Sequence, residues 1–196
     1  MAEARVKPRR ESVVAERFGV FAECLLTGVW IAVASLGVVT YPAAFAAGAR
    51  HLRRRTAYEG GGRREFAADF RSALRGGWAV GAVGWVAVAL GWVDVQAVRA
   101  GLPGGPLVGA GGLFALLGLA VAALRAAAVW TPGSRWRALL ADAGRRTVLD
   151  PAGSFLLVGG AVLTCCSALL IAPLAVPVLG AVAAAAVAVE ERYRRR

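Results

Sequence analysis

Lysine occurs once, at Lys7, and histidine once, at His51. The glycine loop that cradles nucleotide phosphates ends in a lysine. Lys7 stands in no such loop, so ATP binding by that motif is excluded. A histidine triad or a multi-histidine metal site would have to be built around His51 alone. That residue lies between Arg50 and Arg53 in a run of positive charge, and it reads as a solvated or headgroup-facing side chain. Cysteine is nearly as scarce. Cys24, Cys165 and Cys166 all sit in apolar runs. Adjacent cysteines rarely bridge each other and a metal site needs more ligands, so the three are expected as small packing residues. Charge is missing from long stretches of the chain, and no charged residue falls in the middle of any apolar span. No cofactor is expected, and the shortage of acid–base groups argues against an enzyme.

What is present is apolar. Hydrophobic residues make up 58% of the 196 and charged residues 18%, more apolar surface than one soluble core of this size can hide. The pattern reads as an all-α, polytopic membrane protein. A basic tail (1–17) precedes a single membrane domain (18–189), and a second basic tail (190–196) follows. Six membrane segments are expected, at 18–39, 43–55, 76–95, 107–129, 155–172 and 174–189. The first run is too long for the apolar part of a signal peptide and is read as a retained helix. Thr40, Tyr41 and Pro42 mark a break, because proline cannot continue helical hydrogen bonding and disfavours helix in the residue before it. The piece after the break is short for a full crossing of about 30 Å. Two short amphipathic helices are expected at the cytoplasmic surface. One carries Phe66, Phe70 and Leu74, the other Trp136, Leu139 and Leu140. Each is followed by a two-span hairpin, an architectural repeat. Asp150 and Pro151 form a helix start.

The net charge of +11 suggests nucleic acid at first sight. However, the basic residues lie between the apolar spans, where the positive-inside rule places them, so no nucleic-acid partner is expected. Arg50 to Arg75 holds eight basic residues, the turn at Arg99 one, Arg125 to Arg146 five, the turn at Pro173 none, and the C-terminal tail four. This alternation predicts in, out, in, out, in. The N-terminal tail holds five more, so both termini are expected in the cytoplasm of a bacterial (inner) membrane. That requires 18–55 to go in, turn at Thr40–Pro42 and return as a helical hairpin.

Charges within spans are functional candidates. Glu23, one turn into the first segment, is the candidate intramembrane polar residue, with a headgroup-level place near Arg17 as its plainer reading. Asp94 and Arg125 lie near span ends, where snorkelling explains them. Gly77, Gly81, Gly84 and Gly91 read as close intramolecular packing, with a homo-oligomer as an alternative use. Tyr41, Trp78, Trp92 and Trp130 suit interfacial anchoring.

The segment Leu36-Gly37-Val38-Val39-Thr40-Tyr41-Pro42-Ala43-Ala44-Phe45-Ala46-Ala47, followed by basic residues and then by Phe66 to Phe70 before a new span, resembles the YesL-like integral membrane proteins. These are a bacterial family of unknown biochemical function. The resemblance covers 18–95, and the remainder matches by span pattern; Gly37 stands where the family often has proline. It implies a membrane protein associated with carbohydrate uptake of the ABC type, with an importer permease or solute-binding protein as partner beside the lipid bilayer. On that reading the chain is a non-catalytic accessory component whose amphipathic helices dock the partner. The alternative is a small autonomous permease or channel, with a polar path past Thr27, Ser35 and Thr40.

Overall fold

The computed structural model describes residues 10–57 and 61–195, the side chains of 10–18, 20 and 172 excepted. Among them are seven α-helices: α1 (Arg10–Ala34), α2 (Tyr41–Thr56), α3 (Arg63–Arg99), α4 (Gly105–Val129), α5 (Trp136–Leu149), α6 (Pro151–Leu170) and α7 (Ala172–Arg194). A short 3₁₀ turn, Ser35–Gly37, follows α1. No strand occurs among the described residues. Four helices are long and apolar enough to cross a membrane: Arg63–Arg99, Gly105–Val129, Pro151–Leu170 and Pro173–Arg194. α1 adds a shorter apolar stretch, Phe21–Gly37. The helices overrun the apolar segments. α1 starts at Arg10 and α7 runs on to Arg194, because arginine and glutamate propagate helix well beyond an apolar run. Residues 1–9 of the first basic tail, and part of the Gly-rich loop after α2, lie outside the described residues.

α2 is the centre of the fold, which is why it can be short. Residues 42 to 49 are buried without exception. Its alanines, Ala43, Ala44, Ala46, Ala47 and Ala49, have no exposure at all. A helix apolar on every side belongs in a core, and alanine lets neighbouring backbones come close. α1, α3, α4 and α7 surround it. α1 and α7 run antiparallel with glycine at the crossing. A Cβ on Gly28 would collide with the Val176 carbonyl, and one on Gly180 with the Cys24 carbonyl. In its most apolar stretch α7 is 44% buried within the protein, against 11% for α3 and for α4. The α3–α4 hairpin therefore forms the rim and presents a large exposed apolar surface, of the kind that a bilayer or a partner covers.

α3 is two helical pieces that meet at a kink where the amphipathic part ends and the apolar part begins, with non-helical Arg75 at φ −66°, ψ 83° and Gly76 at φ +105°, ψ −25°. Glycine takes this positive φ without the clash a Cβ would bring. The kink releases backbone groups, and Trp136 from α5 satisfies one. Its indole N–H donates to the Ala73 carbonyl at 3.0 Å, while its ring lies against Gly76 and Gly77.

Candidate functional site

The break between α1 and α2 is the first sequence candidate. α1 stops at Ala34, and α2 starts at Tyr41 with Pro42 in its first turn. The Thr40 hydroxyl donates to the Ala34 carbonyl at 2.6 Å. Val38 sits at φ 59°, ψ −52°, and the Val39 N–H donates to the Gly37 carbonyl at 2.6 Å, the geometry of a strained γ-turn. The structure around it holds this conformation in place. The Trp85 indole donates to the Val38 carbonyl at 2.8 Å. Glycines on α3 receive the turn: a Cβ on Gly81 would strike the Val39 carbonyl, and one on Gly84 the Tyr41 hydroxyl. From Gly84 to the end of α3 at Arg99 is about 22 Å of helix, so the turn stops well short of that end of α3.

Glu23 meets α2. Its carboxylate pairs with Arg55 and lies 3.3 Å from His51 Nε2. His51, expected to be solvated, is 1% exposed. It packs edge-on against Trp30 with ring centroids 5.0 Å apart. The helical register explains this. His51 is on the side of α2 that faces α1, so it enters the core although the run around it is basic. The rest of that run ties α2 to other helices. Arg50 and Arg54 pair with Asp69 of α3 at 3.2 and 3.0 Å, and Arg53 donates to the Trp130 carbonyl just past α4 at 2.6 Å.

A second network lies nearby, and it overturns the snorkelling expected of Arg125. Arg125 has no exposure. Its Nη2 donates to the Asp150 carboxylate at 3.0 Å, to the Asp150 carbonyl at 3.2 Å and to the Ser154 hydroxyl at 3.3 Å. Its Nη1 donates to Glu190 at 3.1 Å. Arg146 also pairs with Glu190, and Arg192 with Asp150 at 3.2 Å. Arg125 points into the bundle because α6 and α7 supply carboxylates there, and a forked guanidinium can bond both. Burial alone would raise the Asp150 carboxyl. The Arg125 hydrogen bond, the Gly153 N–H and the charges of Arg125 and Arg192 outweigh it and hold the group below the usual aspartate range.

The amphipathic faces expected to dock a partner are covered by the protein itself. Phe66 is 6% and Trp136 5% exposed. Phe66 packs on Trp30 and Trp136 on Trp130. Phe70, Leu74 and Leu139 are half-buried against the core, and Leu140 packs with Leu139 on Ala122, Ala126 and Ala143. A spacing of three or four selects a side of the helix, but a bilayer and a protein core are equally good destinations for that side. Trp130, expected at an interface, is likewise buried, while Trp78 and Trp92 remain exposed.

Between the α3–α4 hairpin and the rest of the bundle lies a cavity of about 1100 Å³. Ile31, Phe45, Leu124 and Val182 are among the residues of its apolar body, and Arg75, Arg135 and Arg137 also line it. The arrangement is all-helical among the described residues, with four helices long and apolar enough to cross a membrane, buried charges that bind helix to helix and a large space that is apolar. No protein-family model matches the chain, and neither a curated protein nor a solved structure matches it. The function is therefore argued from the geometry.

Proposed function

We propose that the protein is a non-catalytic accessory component of the bacterial inner membrane, of the YesL-like kind, working beside an ABC-type carbohydrate importer. The observation that carries this reading is the use to which its polar groups are put. Glu23, His51, Asp69, Arg125, Asp150 and Glu190 all pair across helices. Of the three hydroxyls expected to form a polar path (Thr27, Ser35 and Thr40), two turn back onto backbone. Thr27 donates to the Glu23 carbonyl at 2.7 Å and Thr40 to the Ala34 carbonyl. A sugar needs polar partners along its route, and the apolar cavity supplies few. The partner, an importer permease or a solute-binding protein, then meets the exposed side of α3 and α4, where Trp78 and Trp92 are free, rather than the covered faces of Phe66 and Trp136. In this reading α1 and α2 form a membrane hairpin, six segments enter the bilayer and both termini are cytoplasmic, as the distribution of arginine favours.

The test is affinity purification of the tagged protein from native membranes in mild detergent, followed by mass spectrometry. Stoichiometric recovery of an importer subunit supports the proposal. Sugar uptake into vesicles by the purified protein alone overturns it in favour of an autonomous permease. Thiol labelling of cysteines placed at Ser12 and Gly61 tests the hairpin. Reaction of both from the cytoplasmic side is expected, and labelling from opposite sides refutes it.

A further inference from the structure

The cavity between the α3–α4 hairpin and the rest of the bundle combines an apolar body with a positively charged edge. Val83 and Val88, on its wall, are 57% and 46% exposed, so the body opens sideways onto the bilayer. Three arginines line it and no acidic residue does. All three come from the segments that meet at the kink: Trp136 seats against Gly76, and Arg75 precedes Gly76 while Arg135 and Arg137 flank Trp136. All three are exposed. None has an ion-pair partner among the described residues, in contrast to Arg125 and Arg146, whose charges are taken up by carboxylates.

A space of about 1100 Å³ left empty would forfeit the dispersion contacts of every residue lining it. Water fills such a space only where it finds two to four polar partners. The body offers few of these, and its Thr164 hydroxyl already donates to the Gly160 carbonyl at 2.9 Å. An acyl chain from the bilayer fills it with no such demand. The chain confers no selectivity, because lipid tails are as apolar as the cavity wall. Selectivity comes from the edge, since arginine presents forked donors that match phosphate oxygens, and basic pockets between membrane helices suit anionic headgroups.

We propose that this cavity is a binding site for an anionic membrane phospholipid, its acyl chains in the apolar body and its phosphate held by Arg75, Arg135 and Arg137. The proposal does not depend on the partner reading above. It is tested with the full chain reconstituted in phosphatidylcholine vesicles carrying trace spin-labelled phosphatidylglycerol or spin-labelled phosphatidylcholine. The readout is the motionally restricted fraction of each label. Phosphatidylglycerol is expected to be favoured about tenfold. The combined variant Arg75→Gln, Arg135→Gln, Arg137→Gln should bring the ratio to within about twofold of one. Ala123→Phe, which fills the body and leaves the arginines in place, should do the same. Equal association of the two lipids with the unaltered protein overturns the proposal. So does a preference that survives the triple variant. A preference that survives Ala123→Phe shows that the arginines collect anions at the surface without the cavity, and it equally overturns the proposal.

Discussion

Arg125→Met probes the network that joins α4, α6 and α7. Methionine keeps most of the volume and removes the charge, so what is lost is electrostatic and hydrogen-bonded rather than packing. Arg125 is completely buried and its donors reach Asp150, Ser154 and Glu190. Breaking a buried pair by removing one partner costs about 3–5 kcal/mol, because an uncompensated charge is left behind. Here each carboxylate keeps a second arginine, Arg192 on Asp150 and Arg146 on Glu190. The expected loss is therefore at the lower end, about 3 kcal/mol. Arg192→Met is the internal comparison. Its side chain is 46% exposed, and solvent screening limits a pair of that kind to about 1 kcal/mol or less. Reversible unfolding of both variants in mixed micelles, followed by circular dichroism, measures the difference. If Arg125→Met lies within about 1 kcal/mol of the unaltered protein, or is indistinguishable from Arg192→Met, the network does not hold the helices together and the reasoning fails.

Three further outcomes follow from the same geometry. Gly180→Ala drives a methyl into the Cys24 carbonyl of α1, whereas Gly118 has open space around it. The first should cost about 1–3 kcal/mol by overpacking and Gly118→Ala should be neutral or slightly stabilising, as read in the same unfolding assay. Trp136→Phe leaves the Ala73 carbonyl at the α3 kink without its donor. The expected cost is about 1–3 kcal/mol for the unsatisfied acceptor, with thiol labelling of a cysteine placed at Ala79 reporting whether the kink loosens. The Asp150 carboxyl, held below its ordinary range, contributes stability that is complete above that range and is lost as pH falls through its lowered value. The unfolding midpoint should then be insensitive to Asp150 between pH 7 and 5 and fall below about pH 4. Asp150→Asn should flatten the acid limb, and an unchanged limb would refute the assignment.

Much of this protein was legible in its sequence. Uncharged runs of about 20 residues span most simply as helices, which satisfy their own backbone, so the all-helical class with long apolar helices follows from composition along the chain. Pro42 marks the break before α2, because proline restricts the backbone by itself; the turn at Gly76 emerges only from its positive φ in the fold. Gly77, Gly81 and Gly84 were recognisable as places of close approach. What they approach was not, since Ala43, Val39 and Tyr41 reach them only through the fold.

The destinations of the side chains were decided by tertiary structure. Phe66, Trp136 and Trp130 carry the same apolar signal whether they face lipid or core, because hydropathy measures escape from water and both environments satisfy it. Arg125 near a span end reads as a snorkelling residue until Asp150 and Glu190, far along the chain, are brought against it. His51 reads as one more basic-run residue until the register of α2 turns it toward Glu23 and Trp30. The sequence by itself determined which segments leave water. The packing of α2 between α1, α3, α4 and α7 decided which charges are buried and paired, and where an apolar cavity with an arginine edge is left, because those depend on distances that no local pattern encodes.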